Sequence, residues 1–183
     1  MDGDAVTMNS GGAKYRKLRK RNGLAPENLR VTVTARGSLD PNASIFGSEG
    51  GEIIVCVSAD CPVERRRALE AVASEVWVVG DEEVDLRKLL ARLQRERQVA
   101  RFLCEGGSRL NESFFRVGLV DRLHVTLCPW LIGGKDAPSF AEGPGFDTLD
   151  GAYRMEFSSI KRLGREVYVT LEKRRRMDPD AAL

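Results

Sequence analysis

The spacing of apolar and polar positions divides the chain into strands and helices. Leu29-Arg-Val-Thr-Val-Thr34 alternates and is β-branched, which predicts a half-buried strand. Glu52-Ile-Ile-Val-Cys-Val57 is nearly continuous apolar, the pattern of a strand covered on both faces. Val76-Trp-Val-Val79 and the strand over 100–104, with its apolar run Phe102-Leu-Cys104, read the same way. Between them, residues 62–73 predict a helix with Pro62 near its start. Val84, Leu86, Leu89, Leu90 and Leu93 form one stripe, so an amphipathic helix is expected over 84–97. A basic helix is expected over 13–22. Another is expected to open at Ser108, acting as its cap, and to pass Leu110, Phe114 and Phe115 to about Val117.

Beyond that helix the pattern changes. Arg122-Leu-His-Val-Thr-Leu-Cys128 alternates and predicts a strand. Pro129-Trp-Leu-Ile-Gly-Gly134 reads as a second strand end closed by paired glycines. Residues 135–151 form a Pro/Gly-rich loop. Strands over 154–161 and 166–173 flank a turn at Arg162-Leu-Gly-Arg165 and are expected to be antiparallel to the others. The alternation of strand and helix in the middle of the chain predicts an α/β fold. It would have a mixed, mainly parallel sheet, helices on both faces and a C-terminal antiparallel hairpin. One domain is expected over 1–183, with a basic helical lead-in over 1–24, a core over 25–173 and a frayed tail over 174–183.

Composition narrows this picture. The chain has 183 residues, 42% of them hydrophobic, enough for a buried core. A net charge of +2 argues against nucleic acid as a partner, and no reader motif accompanies the basic runs 14–21 and 173–176. The four cysteines include no CxxC pair and there is one histidine, so neither a disulfide framework nor a zinc site is expected. The acidic start Met1-Asp-Gly-Asp4 has no apolar core and does not read as a signal peptide. No membrane association is expected, and the localisation expected is cytoplasmic.

Candidate chemistry centres on Glu105-Gly-Gly-Ser108. A strand, a glycine turn and a helix start present bare backbone N–H groups to an anion. Glu105 is expected to point into the same crevice beyond the strand ends. If the strand ending at Gly133-Gly134 were parallel and adjacent, the two glycine pairs would flank one cleft. The pattern is not G-x-G-x-x-G. No G-x-S-x-G is present, and His124, alternating with Leu123 and Val125, reads as structural. A chemistry that needs few protein side chains fits this inventory best, and hydride transfer from a nicotinamide is one such.

The stretches Leu103-Cys-Glu-Gly-Gly-Ser-Arg-Leu-Asn111, Gly118-Leu-Val-Asp-Arg-Leu-His-Val-Thr-Leu-Cys-Pro129 and Leu131-Ile-Gly-Gly134, with Ala137-Pro138, closely resemble the C-terminal reductase domain of riboflavin biosynthesis. The resemblance implies a dihydrofolate-reductase-like fold, NADPH as cofactor and a homodimer. It also implies reduction of a ribosylamino-pyrimidine 5′-phosphate to its ribitylamino form, with hydride delivered to C1′ of the opened ribose. Either the uracil or its 2,5-diamino precursor is a possible substrate. By position, Gly106, Gly107, Ser108, Arg109 and Leu110 would hold the cofactor's phosphates. Gly133 and Gly134 would lie alongside the cofactor, and Glu105 would face the substrate. The basic helix would grip the substrate phosphate, with Arg16 and Arg19 as candidates. No residue is singled out as the catalytic acid or base.

The N-terminus departs from the family pattern. Family members begin with a strand and an S-x-D-G turn that this chain does not contain. The next family element would fall on residues 2–12. Gly3 matches, the Thr position falls on Val6 with Thr7 one place later as a candidate cofactor contact, and the acidic position falls near Ser10. The alternatives are therefore a reductase of this fold acting on another substrate, or a truncated, inactive, dimerising paralogue.

Overall fold

The computed structural model describes residues 11–173. Thr7, the other expectations for residues 1–10 and those for 174–183 lie outside the described residues. The chain falls into two compact units that meet in sequence at Ala100 and Arg101.

The first unit contains α1 (Ala13–Arg21), β1 (Arg30–Val33), α2 (Ser44–Gly47), β2 (Ile53–Val57), α3 (Val63–Glu70), β3 (Glu75–Val78) and α4 (Leu86–Arg97). Its three strands are parallel in the order β1-β2-β3. β2 is central and buried at every position, as its unbroken apolar run requires. Ile53, Val55 and Val57 form one core with Ile45 of α2 and Leu69 of α3. On the alternate face, Cys56 stands in register with Trp77, and the Arg92 guanidinium of α4 lies 4.0 Å from the Trp77 ring centroid. Helices therefore cover both faces. Each fully buried Ile, Leu or Val contributes about 2 kcal/mol. Burial pushes the Cys56 thiol up to about 12, with Arg92 pulling weakly the other way.

Local chemistry sets the boundaries. Pro62 is the N-cap of α3 with φ −54°, the angle its ring imposes. Asp85 caps α4, accepting the Lys88 N–H at 3.0 Å. Arg30, 4% exposed, anchors the connection to β2. Its Nε and Nη2 donate to the Gly51 carbonyl at 3.0 and 2.7 Å. Its Nη1 donates to the Ile45 carbonyl at 2.8 Å and to Ser48 Oγ at 2.9 Å.

The second unit contains α5 (Ser108–Arg116), β4 (Arg122–Leu127), β5 (Met155–Leu163) and β6 (Glu166–Lys173). The strands are antiparallel in the order β4-β6-β5. Leu123 pairs Leu171 and Val125 pairs Val169 on one side of this sheet. His124 pairs Thr170 on the other, with Nδ1 and Thr170 Oγ1 3.1 Å apart. The β5–β6 hairpin turns at Gly164, whose φ of 62° suits glycine. With parallel strands in one unit and antiparallel strands in the other, the chain is a mixed α/β protein.

Two expected strands are absent. Residues 101–107 have no regular structure and Leu103 is 70% exposed. An apolar run forms a strand only where a ladder is available, and no strand of its own unit pairs with it. Phe102 instead packs on Phe114, ring centroids 5.7 Å apart. Residues 129–134 are also irregular, with Trp130, Leu131 and Ile132 exposed. Pro129 has no N–H to continue the ladder that ends at Leu127. Among the described residues no helix is long and apolar enough to cross a membrane.

Candidate cofactor-binding turn

The turn before α5 opens the helix with no capping side chain. Gly107 is the N-cap, and the Asn111 N–H donates to its carbonyl at 3.1 Å. The N–H groups of Ser108, Arg109 and Leu110 therefore precede the first intrahelical bond and point out of the helix end. The positive end of the peptide dipoles adds to the attraction for an anion. Ser108 is the first helical residue rather than the cap, and no side chain caps the helix. Its hydroxyl is instead given to Glu142 Oε2, at 2.9 Å.

The glycine pairs 106–107 and 133–134 prove to be different things. Gly107 has φ −50°, an angle any residue adopts, and a Cβ added there would meet nothing within 4 Å. Glycine here answers no backbone requirement. What it leaves is open space over the helix start, which suits close approach by a ligand. A Cβ at Gly106 would meet Leu110 Cδ2 at 3.0 Å. Gly133 and Gly134, by contrast, have φ of 68° and 114°, and the Ala137 N–H returns to the Gly134 carbonyl at 3.3 Å. They form a turn that needs glycine for its angles. No strand ends there. Among the described residues no hydrogen bond joins Gly133 or Gly134 to the turn 106–110. The expectation that the second pair closes a strand is thus corrected.

The other candidates are placed as follows. Glu105 is exposed. Next to it the half-buried Cys104 donates weakly to Asn111 Oδ1 at 3.5 Å. Burial raises the Cys104 thiol above its usual range, the Gly106 N–H lowers it, and the Glu105 charge raises it again. Arg16 and Arg19 lie in the first unit and hold the chain that follows α1. Arg16 Nη1 pairs with Glu27 Oε1 at 3.2 Å. Arg19 donates to the carbonyls of Ala25 at 2.9 Å and Glu27 at 3.2 Å.

Sequence reasoning missed the segment 139–146, which is fastened along α5. Asn111 Nδ2 donates to the Phe140 carbonyl at 3.0 Å, and the Glu142 N–H donates to the Ser108 carbonyl at 3.1 Å. Phe140 packs on Phe115 with ring centroids 5.9 Å apart. Gly143 lies over Glu112, a carboxylate only 7% exposed that pairs with Arg116 Nε at 3.4 Å. Nothing in the Pro/Gly-rich spacing of this loop marks Glu142 or Glu112. Both look like solvated charges until the loop is seen to fold back.

Comparison with known proteins gives this turn a context. Residues 5–169 match the family described as RibD C-terminal domain. The chain is 36% identical over 141 residues to a 2,5-diamino-6-ribosylamino-4(3H)-pyrimidinone 5′-phosphate reductase of Methanothermobacter thermautotrophicus, covering 77% of this chain and 64% of the relative. It is 34% identical over 169 residues to a reductase of the same name from Archaeoglobus fulgidus, covering 92% of this chain and 73% of that one. The chain thus spans about two thirds to three quarters of the length of these relatives. Among solved structures, a pyrimidine reductase-like protein of Corynebacterium diphtheriae superimposes with a TM-score of 0.67 at 17% identity, over 90% of this chain and 68% of that one. That likeness concerns the fold. By a family match that runs through both units, the chain belongs to the RibD C-terminal domain family.

Proposed function

We propose that the protein is an NADPH-dependent reductase of riboflavin biosynthesis. Its substrate would be 2,5-diamino-6-ribosylamino-4(3H)-pyrimidinone 5′-phosphate, the compound named in its relatives, or the deaminated uracil form. The observation that carries the cofactor reading is Gly107: an unstrained glycine with open space above it, at the start of a helix whose first N–H groups have no acceptor among the described residues. The residues present fit a diphosphate. The N–H groups of Ser108, Arg109 and Leu110 would donate to its oxygens, and the missing side chain at Gly107 would let it approach.

When bound, NADPH supplies the hydride that, with a proton, reduces the opened ribosylamino group to ribitylamino. The protein's part is to hold the reactants in place. Glu105, exposed beside the turn, is the proposed acceptor for polar groups of the substrate. Arg16 or Arg19 is the proposed contact for its 5′-phosphate, on the resemblance alone. Either would exchange its present contacts to Glu27 or Ala25 for the phosphate. Gly133, Gly134 and Thr7 keep their proposed places along the cofactor on the same ground. The family match runs unbroken across the boundary between the units, which supports reading them as one reductase domain. A homodimer and a cytoplasmic location belong to the same proposal.

The test is turnover. Purified protein is given NADPH and each of the two pyrimidine 5′-phosphates, and oxidation of NADPH is followed by absorbance. The ribitylamino product is identified by mass spectrometry. Oxidation that depends on a pyrimidine phosphate supports the proposal. A protein that binds both reactants and yields no ribitylamino product contradicts it.

A further inference from the structure

The start of α5 already carries an anion of its own. Glu142 Oε2 accepts the Ser108 hydroxyl at 2.9 Å, and the Glu142 N–H is bound to the Ser108 carbonyl at 3.1 Å. The carboxylate is thus tethered at the first turn of the helix, where the dipole end favours negative charge. We infer that Glu142 is an internal competitor for the site of the cofactor's diphosphate, and that the segment 139–146 must lift from α5 for the cofactor to bind. This rests on the cofactor reading given above.

The fastening of the segment is of mixed quality, as a releasable contact requires. Three hydrogen bonds, from Asn111 to the Phe140 carbonyl, from the Glu142 N–H to the Ser108 carbonyl and from the Ser108 hydroxyl to Glu142, favour the closed position. So does the contact between Phe115 and Phe140. Against them stands Glu112. Its side chain is nine-tenths buried and lies under Gly143. Among the described residues its Oε1 has no hydrogen-bond donor, only the Arg116 guanidinium at ion-pair distance. An acceptor buried without a donor is a standing cost of the closed position and is relieved when the segment lifts. The segment also sets Glu142 next to the place assigned to a diphosphate. Like charges that close repel, so carboxylate and diphosphate disfavour each other at the helix start. Glu142 then sets cofactor affinity without touching the reacting atoms.

The test compares wild type with Glu142→Gln, which keeps the hydrogen bond from Ser108 and loses the charge. NADPH is titrated by fluorescence at low and high salt, and hydrogen exchange over 139–146 is read with and without NADPH. Removing one like charge from an exposed site predicts about fivefold tighter binding at low salt. The gain should shrink at high salt. Exchange in the wild-type segment should rise when NADPH binds. If wild type binds NADPH and Glu142→Gln binds it equally or more weakly, the inference is overturned while the cofactor reading stands. If neither protein binds NADPH, the cofactor reading fails and this inference fails with it.

Discussion

Gly143 lies so close to the Glu112 carboxylate that a Cβ would stand 2.6 Å from Cδ and 2.7 Å from Oε2. Glu112 is buried and bound to Arg116, so it cannot yield by swinging into water without losing that ion pair. Gly143→Ala is therefore an overpacking change, expected to cost about 1–3 kcal/mol. Glu112→Ala in the same chain removes the obstacle, so the two changes should be strongly non-additive. Denaturant midpoints of the two single variants and the double variant decide this. Additive losses would show that the contact is not what requires glycine.

Arg30 holds three separate acceptors from one buried position: the carbonyls of Gly51 and Ile45, and Ser48 Oγ. Burial lowers its pKa, while the charge of Glu27 raises it. Arg30→Met strips the Gly51 carbonyl of its guanidinium donors, while the Ile45 carbonyl keeps the Ser48 hydroxyl at 3.1 Å, and should destabilise the first unit by about 2 kcal/mol. Arg30→Lys should rescue little, because a point charge cannot span the planar fork that reaches all three. Equal stability of the Lys variant and wild type would refute this account of the cage.

Asp85 supplies a pH signature. The Lys88 N–H is the main cause of its depressed pKa, with smaller support from the Lys88 side chain. A group whose pKa falls on folding contributes stability above its unfolded value and loses it as pH falls through the folded one. Asp85→Ala should therefore cost about 1 kcal/mol at neutral pH. The difference from wild type should close below about pH 4. Thermal melts of both proteins across that range give the answer, and a gap that does not vary with pH would contradict it.

The parallel half of the fold was legible because its signals are local and redundant. The unbroken run 52–57 announced a doubly covered strand, the leucine stripe announced α4, and Pro62 marked the start of α3. The runs 102–104 and 130–132 carried the same apolar signal but formed no strand. Pairing depends on a neighbour and on the donor that Pro129 lacks, and neither is written in the run itself. At the candidate site, Gly106-Gly107 was legible as a helix entry. That Gly107 is a spatial glycine and Gly133-Gly134 a conformational one became visible only with the backbone angles. Glu142 and Glu112 stayed hidden because a long-range loop contact, not spacing, gives them their places.

We propose that Gly107 is glycine to admit an anion. The most direct measurement is Gly107→Asp, followed by NADPH titration and thermal unfolding. The position is an N-cap with an unstrained backbone and open space, so aspartate should be tolerated and should change stability by only a few tenths of a kcal/mol. Its charge would stand where the diphosphate is to bind, and NADPH affinity should fall about 100-fold. A folded Gly107→Asp protein that binds NADPH as tightly as wild type would contradict the assignment of this turn.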